Sequence, residues 1–118
     1  MLNNKKLNVD IIVADYYKKI TTPMLKSSTD ILKKNKINYS VSYVAGAYEI
    51  PQLISYKIKK NQINLFIAFG CIIKGETYHF EVLSNSIAKS LLDLCIHNKK
   101  TFITNGILNV NKMSQAVA

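Results

Sequence analysis

The sequence predicts an α/β fold: a three-layer αβα sandwich with helices on both faces of a four-stranded parallel sheet. Short apolar runs alternate with segments of helical period along the chain, which is the pattern of successive βαβ units. No repeat, linker or low-complexity stretch interrupts the alternation. A length of 118 residues suffices for one core and not for two. Residues 1–118 therefore read as one domain.

The elements follow in order. Val9–Ala14 is the first strand. Thr22 before Pro23 suits an N-cap and first-turn pair, so a helix is expected from there. Leu25, Ser28, Ile31 and Leu32 share one face of that helix, and the Lys33–Lys36 cluster closes it. Tyr39–Val44 alternates as a second strand and stops at Ala45–Gly46. The second helix is expected from Tyr48–Pro51 to about Asn61, burying Ile50, Leu53, Ile54 and Ile58. Proline is tolerated only in a first turn, which fixes where that helix starts. Leu65–Gly70 is apolar throughout and reads as a central strand. Phe80, Leu83, Ile87, Leu91 and Leu94 recur every three or four residues and define the third helix. Thr101–Ile107 is the fourth strand, and Asn109–Ala118 begins a further helix.

Composition narrows the class of function. The formal net charge of +9 invites a nucleic-acid partner, yet all sixteen basic residues are lysine. Arginine, the side chain that clamps phosphate or guanine bidentately, is absent from the sequence. Lys33–Lys34, Lys59–Lys60 and Lys99–Lys100 fall at expected helix ends, where they complement the helix dipole. Solvated helix termini account for the charge, and no nucleic-acid partner is expected. No apolar run approaches the ~20 residues that cross a bilayer, and Met1–Lys6 carries no signal-peptide apolar core. The expected compartment is the cytoplasm, with no membrane partner. Cys71 and Cys95 lack the spacing of a metal or redox pair, so reduced thiols and no metal are expected.

The chemistry concentrates at one rim. Gly46, Gly70, Gly75 and Gly106 are expected at or just past the carboxyl ends of strands. That is the rim where a doubly wound sheet keeps its binding crevice. Gly70–His79 should bridge the third strand and the third helix, and backbone N–H groups at a helix start attract anions. Within it, Gly75–Glu76–Thr77 is the candidate anion nest, with the Thr77 hydroxyl as a further donor. His79 follows directly, and an imidazole can take or give a proton near neutral pH at little cost. His97, among Asn98 and Lys99, reads as surface. Glu49 could accept hydrogen bonds from ligand hydroxyls, although acidic residues also favour a helix's first turn. Tyr16 could stack on a planar ring or equally be a core tyrosine. These residues point to a planar, polyhydroxylated ligand and a phosphate, and they stop short of a reaction.

The motifs carry a resemblance. Val44–Pro51 resembles the valine–proline–glycine–alanine–aromatic–glutamate–aliphatic–proline segment of the 6,7-dimethyl-8-ribityllumazine synthase family. Gly70–Glu81 resembles that family's glycine-to-histidine segment, with its basic–glycine pair, threonine and histidine followed by an aromatic and an acid. Asn105–Gly106–Ile107–Leu108, followed by Gln115–Ala116, is similar to a third stretch in the expected order.

The resemblance implies a flavodoxin-like fold and the penultimate step of riboflavin synthesis. In that step 5-amino-6-(D-ribitylamino)uracil condenses with 3,4-dihydroxy-2-butanone 4-phosphate, and phosphate and water leave. It implies that Tyr16 stacks on the pyrimidine, and that Ala47, Tyr48 and Glu49 hold the ribityl chain and ring edge. Cys71, Ile72 and Ile73 would present backbone groups to the ring. Glu76 and Thr77 would bind phosphate, His79 would carry the protons, and Asn105 of a neighbouring subunit would complete the pocket. No cofactor is implied, and the expected assembly is a homo-oligomer, a pentamer or a pentamer-based shell.

Two departures from the family pattern stand out. Cys71 takes a position usually held by threonine or a small residue, which is tolerable if only its backbone is used. Family members also continue past the position of Ala118 with a phosphate-clamping basic residue and a final helix. The C-terminal helix is therefore expected to be truncated and the domain incomplete. A catalytically impaired lumazine- or flavin-binding protein, or a shell-forming protein of the same fold, is the alternative reading.

Overall fold

Ile11, Ile12 and Val13 are consecutive and all buried, the sign of a parallel strand covered on both faces. They lie in β1 (Asn8–Ala14) of the computed structural model, which describes residues 7–60, 62–76 and 79–117. β1 pairs in parallel with β2 (Asn38–Val44) on one side and β3 (Asn64–Ile73) on the other. β4 (Thr101–Val110) pairs in parallel with the far edge of β3. The order β2-β1-β3-β4 confirms the expected flavodoxin-like α/β class with four parallel strands. The chain leaves β2, passes over β1 and enters β3, so strand order reverses between β1 and β3. At such a reversal the flanking loops part and leave a crevice.

Three layers result. α1 (Lys18–Lys34) covers one face, where Leu32 packs with Val9, Ile11, Val13 and Phe69. α2 (Glu49–Lys57) and α3 (Phe80–His97) cover the other, where Ile50, Ile54, Ile87 and Leu91 meet Ile12, Phe66, Ala68 and Ile72. Ile50 and Ile54 are fully buried, each contributing about 1.5–3 kcal/mol of apolar burial. The short α4 (Met113–Val117) packs Met113 and Ala116 near Ile73 on the α1 side.

Several boundaries differ from the sequence expectation. α1 starts at Lys18 after a 3-10 turn at Asp15–Tyr17, a full turn before Thr22. Pro23 therefore sits inside the helix, where it removes the hydrogen bond to the carbonyl of Lys19. Burial of Ile20 and Thr21 favours that extra turn, and Thr21 Oγ1 donates to the Tyr17 carbonyl at 3.3 Å. Ile31 was expected on the inner face and is 61 % exposed. The buried stripe instead reaches Leu32 through Ile20 and the half-buried Met24, Leu25 and Ser28.

α2 ends at Lys57 because Ile58 turns extended, at φ −65° and ψ 129°. Lys59 and Lys60 thus lie beyond the helix, and Asn61 is outside the described residues. Asn64 holds this loop: its side chain accepts from the Lys59 N–H and donates to the Lys59 carbonyl, both at 3.0 Å. β3 and β4 each run three residues further than expected, to Ile73 and Val110. Gly70 and Gly106 are therefore inside strands rather than at their ends. A Cβ on Gly106 would lie 2.7 Å from Phe69 Cδ1, so close packing, not ligand approach, accounts for that glycine.

Candidate active site

The loops after β1 and β2 and the end of β3 meet at the strand reversal, where a cavity of about 200 Å³ opens. Tyr16 and Tyr17 form one wall. Their rings meet edge to face with centroids 4.8 Å apart, which holds the outer ring upright at low entropic cost. Tyr16 is 76 % exposed, so it is an open aromatic face and not a core residue. Gly46, Ala47, Tyr48 and Glu49 form the second wall. Their turn tightens into α2 through bonds from the Glu49 and Ile50 N–H groups to the Gly46 and Ala47 carbonyls, each 3.1 Å. The Glu49 carboxylate folds back over Gly46, and a Cβ there would lie only 3.1 Å from Glu49 Oε2.

Cys71 and Ile72 of β3 and Leu83 of α3 complete the lining. The β1–β3 ladder ends at the Val13–Phe69 pair, whereas β3 stays paired with β4 as far as Ile73. β3 therefore projects past β1 into the crevice. Its side chains turn alternately into the apolar cores, with Ile72 on the α2–α3 side and Cys71 and Ile73 on the α1 side. What this projecting strand offers a ligand is backbone.

His79 caps α3 from outside. It is exposed, with a left-handed backbone at φ 59° and ψ 41°, and its carbonyl accepts from Leu83 N–H at 2.9 Å. A left-handed conformation costs a residue with a Cβ about 1–2 kcal/mol, and such outliers gather where function fixes the backbone. Leu83, one turn along α3, lines the cavity, so His79 stands at its margin and not in its wall. A salt bridge of 3.1 Å joins Lys74, the first residue after β3, to Glu81 in the first turn of α3. The Glu81 carboxyl is held below the usual carboxylate range, first by its own backbone N–H and then by the Lys74 ammonium.

The expected site residues are thus brought together unevenly. Tyr16, Ala47, Tyr48, Glu49, Cys71 and Ile72 share the cavity, and Ile73 lies just beyond it in the α1-side core. Asn105 is exposed on the edge strand β4 and its Oδ1 accepts from Ile107 N–H at 2.9 Å, away from the cavity. Glu76 belongs to the 3-10 turn Lys74–Glu76, while its side chain and Thr77 lie outside the described residues. Sequence reasoning passed over Tyr17, whose signal was its place beside Tyr16, and Leu83, which it assigned to the core alone. It also left the Lys74–Glu81 pair unassigned. His97 is exposed, as expected.

Roomier hollows of about 290 Å³ beside α1, about 560 Å³ at the amino-terminal rim and about 430 Å³ between α2 and α3 lie elsewhere. None of these is lined by the end of β3 at the reversal, so the smaller cavity is the candidate. Among the described residues no cluster of metal-ligating side chains occurs, and no helix is long and apolar enough to cross a membrane.

Residues 6–118 match the sequence profile of the family described as 6,7-dimethyl-8-ribityllumazine synthase. The protein of that name from Bartonella tribocorum is 41 % identical over 114 residues, covering 95 % of this chain and 74 % of its own. Its namesake from Bartonella henselae is 41 % identical over 116 residues, covering 97 % and 74 %. That from Bartonella bacilliformis is 36 % identical over 110 residues, covering 92 % and 72 %. With a crevice at the strand reversal and a match along nearly its whole length, the chain belongs to the 6,7-dimethyl-8-ribityllumazine synthase family.

Proposed function

We propose that this protein is a transferase of riboflavin synthesis that makes 6,7-dimethyl-8-ribityllumazine. It joins 5-amino-6-(D-ribitylamino)uracil to 3,4-dihydroxy-2-butanone 4-phosphate with loss of phosphate and water. One observation carries the reading. Two segments that bear the family's motifs, the turn after β2 and the end of β3, meet Tyr16 after β1 around one cavity, and His79 stands at the head of α3, one turn before the cavity-lining Leu83.

Each residue has a role that its chemistry permits. Tyr16 stacks on the pyrimidine, and the projecting backbone of Cys71–Ile73 hydrogen-bonds its polar edge. Ala47 and Tyr48 shape the ribityl channel, where the Glu49 carboxylate accepts from hydroxyls. The turn at Glu76 and Thr77 receives the phosphate. His79 carries a proton to the carbonyl oxygen as the amine attacks and another to the departing phosphate. The amine and the ketone are already reactive, so holding them together supplies much of the acceleration. Mixing the protein with both substrates is expected to give the fluorescent lumazine in proportion to enzyme. No product at saturating substrate would overturn the reading.

The same reading places the enzyme in the cytoplasm and assembles it as a pentamer or a pentamer-based shell. Asn105 supports assembly: on the outer strand it is remote from its own chain's cavity and suited to a neighbour's. Light scattering of the purified protein is expected to report at least five copies. A stable monomer with full activity would exclude a shared pocket.

A further inference from the structure

The segment between β3 and α3 bears the imidazole, yet α3 begins without a side-chain cap from His79. His79 holds a left-handed backbone, with φ 59°, that a residue carrying a Cβ adopts infrequently and at some cost. An ion pair spans the two sides of that residue. Lys74 follows the buried Ile73, so its backbone is fixed by the sheet. Glu81 sits in the first turn of a helix anchored by Ile87 and Leu91. Their charged ends meet at 3.1 Å.

Glu81 also places its negative charge in the first turn of α3, at the positive end of the helix dipole. The ion pair thus ties the end of β3 to the head of α3. Both side chains are more than half exposed, and such a pair adds little to global stability. Its consequence is local.

We propose that Lys74 and Glu81 are positioning residues, whose ion pair holds the His79 backbone in its left-handed turn and so aims the imidazole at the reacting carbonyl. This rests on the proposed lumazine synthase activity for its kinetic readout and on no turnover for its spectroscopic one. Neither residue touches substrate. Their effect falls on kcat, because a misplaced proton carrier slows the chemical step while ring stacking and backbone contacts persist.

The experiment compares K74Q, E81Q, the double variant K74Q/E81Q and the conservative K74R with the unmodified protein. Each neutral single variant is expected to lower kcat about tenfold, with the KM for the ribitylaminouracil changed by less than about twofold. The double variant should be no slower than the slower single, as for two groups acting through one contact. K74R should keep kcat within about twofold of the unmodified rate. By NMR, the His79 backbone amide resonance should move to a common position in K74Q and E81Q and stay near its original place in K74R. Unchanged kcat in the single variants, additive losses in the double, or a K74R as slow as K74Q would overturn the proposal. If the unmodified protein makes no lumazine, the activity reading fails. The amide resonance then still decides the pair, and an unmoved His79 signal would overturn it.

Discussion

At the scale of single residues, the proposed function assigns the proton carrier and the binding surface to different elements. His79 stands exposed at the head of α3, while Tyr16, Tyr48 and Glu49 line the cavity. Replacing His79 by Ala is expected to lower kcat about a hundredfold or more, the usual share of a general acid–base. The KM for the pyrimidine should hold, and steady-state fluorescence kinetics separate the two constants. Tyr16 should behave in the opposite way. Stacking of a base on an aromatic ring is worth about 1–3 kcal/mol, so Tyr16→Ala should raise the KM by a corresponding factor while Tyr16→Phe keeps it. A phenylalanine variant as poor as alanine would transfer the role from ring to hydroxyl. Gly106 is a packing residue: a methyl group there meets Phe69 at 2.7 Å. Gly106→Ala should destabilise by about 1–3 kcal/mol in urea titration, as overpacking does.

At the scale of elements, helix ends decide how strands are delivered. α1 closes with Lys36 N–H donating to the Lys33 carbonyl at 3.1 Å and Ile37 N–H to the Leu32 carbonyl at 2.9 Å. This is the pattern in which a left-handed residue ends a helix, and glycine is its usual occupant. Here the residue is Lys36, at φ 56°. Lys36→Gly is therefore expected to stabilise the protein by about 1 kcal/mol, read as a raised denaturation midpoint at constant slope. A fall in the midpoint would mean that the lysine side chain contributes more than the backbone strain costs. Lys100, just before β4, is also left-handed, at φ 57°. Both bends aim a strand into the sheet's amino-terminal edge, far from the cavity, where strain serves topology alone.

For the whole molecule, acid stability follows from α3. Glu81 is held below the usual carboxylate range by its own N–H and by Lys74, and Asp93 by its hydrogen bond from Lys89. A carboxyl whose native titration lies below its unfolded value binds fewer protons when folded. It therefore contributes stability above the unfolded value and loses it as pH falls through the native one. The denaturation midpoint should thus decline below the ordinary carboxylate range and be flat above it. Both groups are exposed, so the decline should be shallow and shrink further in high salt. A midpoint independent of pH across that range would show that neither pair matters to folding. The basic residues behind the net charge of +9 are all lysine, and among the described residues Lys33, Lys34 and Lys57 fall in the last turns of helices.

Periodicity and punctuation alone determined the class of fold, the order of its elements and the rim where the candidate cavity opens. Apolar alternation is a local property, and Pro51 fixed the start of α2 because proline's missing N–H is harmless only in a first turn. Place after a strand likewise singled out Tyr16 and Glu49, which line the cavity, and His79, which stands at the head of α3. Tertiary contacts decided the rest. Burial of Ile20 and Thr21 extended α1 past its apparent cap, and pairing with β4 carried β3 on to Ile73. The close approach of Phe69 gave Gly106 its purpose, and the fold alone set Asn105 on an outer edge away from its own cavity. Each of these depends on a neighbour distant in sequence, whose packing outweighs local preference by a few kcal/mol at most.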